Sequence, residues 1–292
     1  MRPKRTFKSI FTRSRTTVLL VVVLYLLIVD SCMTMRTSTK DTRAFFQSKQ
    51  VSYIDSSLTV GDSKIHYLQT GKKDGETLVF IHGSPGSWDA YMEYLADSTL
   101  LKNYRVLAPD RPGFGKSGFR KSMGLAAQAH ILNTFLRKLD NGKPYTLIGH
   151  SYGGPVVVQM AVEDPELYQK LVVLAGSLDP EAEEPENWRE PLTWVPFNYL
   201  IPGALKPSNE ELWMLKKDLK ILKPQLNQLT QPTLVIHGKE DSLVPYENVA
   251  FIKTNFTHAD SLKITSLEHE DHFFIWTRKK MVVDAVVDWV SK

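Results

Sequence analysis

A chain of 292 residues, 42% hydrophobic and 10% aromatic, has the apolar content of one large domain with a sizeable core, which excludes disordered, collagen-like and disulfide-built classes. Its net charge of +4 is local: Arg2, Lys4, Arg5, Lys8, Arg13 and Arg15 all precede the first acid, and the rest of the chain carries −2. The body therefore offers no basic footprint for nucleic acid.

The basic stretch leads straight into Val18–Val29, twelve residues without a charge. A positive flank followed by an apolar core of that length is the pattern of a secretory signal. A bilayer span needs about 20 apolar residues, which Thr16–Met35 only just supplies with Asp30 inside it. Residues 1–45 are read as a signal or membrane anchor followed by a polar tether, and the protein as exported or membrane-associated. The single cysteine, Cys32, excludes an internal disulfide. Val29–Cys32 loosely resembles a bacterial lipoprotein site, so lipid attachment through Cys32 stands as an alternative.

Alternation then begins. Val51–Asp55 and Ser63–Leu68 read as half-buried strands around a Gly61–Asp62 turn, an antiparallel hairpin. Leu78–Ile81, Tyr104–Ala108, Tyr145–Ile148, Leu171–Leu174 and Thr233–Ile236 are short, nearly unbroken apolar runs, the texture of parallel strands covered on both faces. Helical stretches fall between and after them at 126–139, 152–162, 247–255 and 280–290, so the expected fold is a doubly wound α/β domain over 46–177 and 231–292. Residues 178–230 break the rhythm. They open with an acidic, proline-rich segment and carry Trp188, Trp194, Phe197, Tyr199 and Trp213, too aromatic for a solvated linker, and are read as an inserted cap.

The sharpest chemical signal is Gly149-His-Ser-Tyr-Gly153, placed directly after an apolar strand and before a helix. That is the context of a nucleophile elbow, where a tight turn forces Ser151 into an exposed position at a helix N-terminus. A serine hydroxyl needs a base, and the expected chain order is Ser, then Asp or Glu, then His. Asp241, just past the strand 233–236, is the first candidate acid, with Glu240 and Asp179 behind it. His272 is the first candidate base, with His269 behind it. The backbone N–H groups of Ser84, in the loop after 78–81, and Tyr152 are the candidate oxyanion donors, while His82 and His150 read as structural. No Cys/His cluster is present, so neither metal nor cofactor is expected.

His82–Gly86, Pro109–Ser117, Gly149–Gly154, His237–Asp241 and Asp271-His272 together resemble the α/β-hydrolase superfamily in its capped, serine-nucleophile branch. The resemblance implies a mostly parallel eight-stranded sheet with a helical cap, and a carboxylic-ester hydrolase working through an acyl-enzyme on a small-molecule substrate with an apolar group. C–C or amide hydrolysis on the same residues is the alternative, and a non-catalytic ligand-binding protein on the same scaffold is the competing class. Serine at the elbow disfavours the dehalogenases and epoxide hydrolases, which carry aspartate there.

Overall fold

A computed structural model describes residues 7–184 and 186–292; Arg2, Lys4 and Arg5 of the basic flank lie outside the described residues, as does Pro185. One sheet organises the body. Its strands are β1 (Ile54–Val60), β2 (Ser63–Gly71), β3 (Glu76–Ile81), β4 (Tyr104–Pro109), β5 (Tyr145–His150), β6 (Tyr168–Leu174), β7 (Thr233–Gly238) and β8 (Leu262–Leu267), in the order 1-2-4-3-5-6-7-8. β2 pairs antiparallel with β1 and β4, and every later pairing is parallel. β4 and β5 are buried along their whole length, which is why their sequences are apolar runs rather than alternating ones.

The helices are α1 (Phe7–Ile28), α2 (Thr39–Ser48), α3 (Met92–Leu95), α4 (Ser98–Asn103), α5 (Leu125–Lys138), α6 (Gly153–Glu163), α7 (Leu205–Leu222), α8 (Glu247–Asn255), α9 (Phe274–Thr277) and α10 (Lys279–Val290). Two apolar clusters cover the faces of the sheet. One gathers α5, α6 and the C-terminal part of α7 against Val79, Leu147 and Val173; the other gathers α10 and the residues of α2–α4 against Phe80, Ile148 and Ile236. In α6 every residue from Gly153 to Val162 is buried, so packing overrides the poor helix propensity of Val156, Val157 and Val158. The long excursion between β6 and β7 carries 3₁₀ turns at 191–193 and 197–200 and then α7.

Two details differ from the expectations raised by the sequence. The end of the stretch assigned to a tether runs into the domain as one helix, α2: Ser38 caps it by accepting from the Asp41 N–H, and Phe46 is fully buried between Tyr53 and Trp88. The first strand starts at Ile54 rather than Val51, because Val51 and Tyr53 pack with Phe46 instead of entering the ladder. Among the described residues no helix is long and apolar enough to cross a membrane. α1 nonetheless exposes Val18–Leu26 and Ile28, and near its C-terminal end Tyr25 Oη donates to Leu200 O. Gly203 N–H donates to Val29 O (3.1 Å) and Ala204 N–H to Met33 O (3.0 Å) just beyond it.

Candidate active site

The elbow forms where β5 turns into α6. Ser151 sits at φ +56°, a left-handed conformation that costs a non-glycine residue energy and lifts its side chain clear of the bend. The turn closes only because its flanks are bare. A Cβ on Gly149 would lie 2.2 Å from Gly153 O, and one on Gly153 would lie 2.2 Å from Ile81 O. The Ser151 N–H donates to Leu174 O, which ties the bend to the end of β6.

Asp241 and His272 come together at the C-terminal edge of the sheet, where ligands of open α/β sheets bind. His272 Nδ1–H donates to Asp241 Oδ2 at 2.7 Å, and both side chains are buried. The other carboxylate oxygen accepts the N–H groups of Leu243 (2.9 Å) and Val244 (2.8 Å). Burial works against the Asp241 charge, but the His272 hydrogen bond and the two backbone donors outweigh it and hold its pKa below the usual carboxylate range. The alternatives lie elsewhere. The His269 side chain is 89% exposed and pairs with Glu240 at 3.1 Å, while the Asp179 carboxylate accepts the Glu181 N–H at 2.9 Å.

His272 is brought to the elbow through His150, the residue before the serine. His150 Nε2–H donates to the His272 carbonyl (3.1 Å), and the two rings lie 4.6 Å apart. Burial and the neighbouring His272 push the His150 pKa down to about 3, so this ring is neutral at physiological pH and serves as a spacer. Ser84 stands on the other side, in a loop so close that a Cβ on Gly83 would lie 2.9 Å from Ser151 Cβ. Tyr152 is buried at the start of α6, and neither its N–H nor that of Ser84 is taken by a backbone acceptor among the described residues.

One group was not singled out from the sequence. Arg111, in the loop after β4, is fully buried between Phe114 and Tyr152, with its guanidinium 4.6 and 4.7 Å from the two ring centroids. It pairs with Glu211 of α7. The signal lay in Asp110-Arg111-Pro112-Gly113, a segment that resembles a site-shaping loop; nothing local to it points to an acid one hundred residues away.

A serine on a strand–bend–helix turn, with the residue before it bonded to the histidine of a buried Asp–His pair, is the arrangement of hydrolases built on a nucleophile elbow. The chain belongs to the α/β-hydrolase superfamily. The family profile of the alpha/beta hydrolase fold matches residues 76–201, and that of the prolyl oligopeptidase family matches residues 139–292. In sequence the chain is 23% identical over 239 residues to a 2-hydroxy-6-oxo-6-(2'-aminophenyl)hexa-2,4-dienoic acid hydrolase of Metapseudomonas resinovorans, covering 69% of this chain and 79% of that one. It is 27% identical over 222 residues to a pimeloyl-[acyl-carrier protein] methyl ester esterase of Nitrosomonas europaea, covering 63% and 83%. In structure it is similar to an esterase from Exiguobacterium antarcticum (TM-score 0.68, 19% identity, 82% of this chain and 100% of that one). A bacterial membrane phospholipase A shares the fold over 97% of this chain and 98% of its own, with a TM-score of 0.63 and 20% identity. The protein is an α/β-fold hydrolase.

Proposed function

We propose that this enzyme hydrolyses carboxylic esters through a Ser151–His272–Asp241 triad and an acyl-enzyme. The observation that carries the reading is the buried 2.7 Å His272–Asp241 bond beside a serine held at φ +56°. With Nδ1 committed to Asp241, Nε2 is the imidazole nitrogen left to take the Ser151 proton as Oγ attacks the carbonyl carbon. Asp241 stays ionised and stabilises the imidazolium. The N–H groups of Ser84 and Tyr152 donate to the oxyanion of the tetrahedral intermediate. His272 then gives its proton to the leaving alkoxide, and water repeats the sequence on the acyl-enzyme to release the acid.

The esterase among the sequence relatives supports the ester reading, and the aromatic cap supports an apolar group on the substrate. The dienoic acid hydrolase favours C–C cleavage as the second reading. Rates on a panel of p-nitrophenyl esters, a vinylogous 1,5-diketone and a prolyl p-nitroanilide separate them. The expected result is a kcat/KM for the best ester at least roughly 100-fold above the other two, the scale on which sites discriminate by unmatched contacts. A diketone or anilide that outruns every ester would replace the ester assignment.

We further propose that the protein sits on a lipid surface. An exposed helix that is apolar on all sides, as α1 is over Val18–Leu26, calls for an apolar medium around it. Its end meets a cap edge, residues 191–205, that carries no charge and exposes Trp194, Val195, Phe197, Tyr199 and Leu200. Trp and Tyr are the residues of a membrane–water boundary, and the basic flank of residues 2–15 complements anionic headgroups. In flotation with phosphatidylethanolamine–phosphatidylglycerol vesicles, the Trp194→Ser/Phe197→Ser/Tyr199→Ser variant is expected to bind at least about 10-fold less than wild type with an unchanged far-UV circular dichroism spectrum. Unchanged flotation would remove the cap edge from the membrane contact.

A further inference from the structure

Arg111 and Glu211 have no exposed side-chain surface and meet as a two-pronged pair, Nη2 to Oε1 at 2.7 Å and Nη1 to Oε2 at 2.8 Å. Burying two charges is costly, and attraction between them often does little more than offset that cost. The partners come from different layers: Arg111 from the loop after β4, Glu211 from α7 of the excursion that covers the sheet edge. Gln128 of α5 braces both, accepting from Arg111 Nη1 at 2.7 Å and donating to Glu211 Oε2 at 3.0 Å.

The remaining guanidinium contacts converge on one stretch of backbone. Nε donates to His82 O at 2.9 Å, and Nη2 donates to Gly83 O at 3.0 Å. The Arg111 N–H donates to His82 Nε2 (3.0 Å), which leaves the ring proton on Nδ1, and Nδ1–H in turn donates to Gly83 O at 2.8 Å. Gly83 O is therefore held by two donors. The Gly83–Ser84 peptide is trans, so its N–H points opposite to its carbonyl. Pinning the oxygen towards Arg111 turns the Ser84 N–H to the other side, in a loop whose Gly83 backbone abuts Ser151. A flip of that one peptide would place an acceptor where a donor is needed. α7 reaches the same loop a second time, because Ser84 Oγ donates to Ser208 Oγ at 2.8 Å.

We propose that Arg111, itself steered by Glu211, is a positioning residue that locks the Gly83–Ser84 peptide with its N–H offered to the oxyanion, so that the seating of α7 sets transition-state stabilisation. The inference rests on the serine-hydrolase reading above and goes beyond it in assigning this buried pair to catalysis rather than to stability alone.

The test uses the full chain, with active sites titrated by a fluorophosphonate, in three forms: wild type, Arg111→Met and Arg111→Met/Glu211→Leu. Two quantities are compared: turnover of p-nitrophenyl butyrate, and inhibition by an alkyl boronic acid whose tetrahedral serine adduct needs the oxyanion donors. Loss of one such donor typically lowers kcat by 10²–10³, and a misaligned one by less, so Arg111→Met is expected to lower kcat roughly 10- to 100-fold with KM nearly unchanged. The boronic acid should weaken by the same factor, as a transition-state mimic must. Replacing both charges by apolar side chains of similar volume is expected to restore thermal stability and leave kcat and boronate affinity depressed. Two results would overturn the proposal: recovery of wild-type kcat in the double variant, or a fall in kcat without a parallel fall in boronate affinity. Failure of the hydrolase reading would show separately, as wild-type turnover in Ser151→Ala.

Discussion

Ser151→Ala is expected to lower kcat towards p-nitrophenyl butyrate by roughly 10⁴- to 10⁶-fold, the range seen when a triad nucleophile is removed. The substitution deletes one oxygen from a side chain that is not fully buried, so it opens no core cavity. It also leaves backbone strain where it was, since alanine at φ +56° is no better placed than serine. Thermal stability and KM should therefore stay close to wild type, and a fluorophosphonate should label the wild type but not the variant. The residue of activity, about 10³-fold over water, would come from the oxyanion donors and substrate binding. Equal rates in the two proteins would dismiss Ser151 as the nucleophile.

Asp241→Asn is expected to cost about 10⁴-fold in kcat although it changes hardly any volume. The reason is the proton inventory of the pocket. Leu243 and Val244 present two N–H donors to one oxygen of the side chain, so an asparagine must place its own oxygen there and its NH₂ group towards His272. His272 Nδ1 would then have to accept rather than donate. The ring proton moves to Nε2, the nitrogen that has to be empty to take the serine proton. Acid does not imitate this change at moderate pH. Asp241 is held below the usual carboxylate range of about 4, so lowering the pH from 7 to about 5 leaves it ionised. A pH–rate profile of the variant, with active sites titrated, checks the argument; a kcat within a few-fold of wild type would break the link between Asp241 and the tautomer of His272.

Much of this geometry was legible in order along the chain. The unbroken apolar runs at β3–β7 announced strands covered on both faces, and Gly149–Gly153 announced a bend, because both are set by local sterics and by the two-residue period of a strand. Only the apolar residues downstream of His272 distinguish it from His269. Phe274 and Ile275 are fully buried and draw the preceding imidazole inward, whereas His269 stands in an acidic turn that leaves it in solvent. The features that stayed hidden depend on contacts between distant segments. The docking of Phe46 stayed hidden because the polar-biased residues leading up to it read as a tether and do not reveal a slot formed by Tyr53 and Trp88. Arg111 looked like a loop residue because its meaning lies in Glu211, and pairings at that separation leave no periodic trace.

The docking of α2 carries a consequence for how the polypeptide can be shortened. Phe46 fills a closed aromatic slot ahead of the first strand, so the foldable unit begins upstream of the sheet. A cut placed by eye at Ile54, where the ladder starts, would discard that ring and leave an unfilled hole against Trp88, a loss on the scale of about 3–5 kcal/mol for a deleted core phenylalanine. Any protease that trims the leading helix while sparing the catalytic body has to act before Ser38, the residue that caps α2.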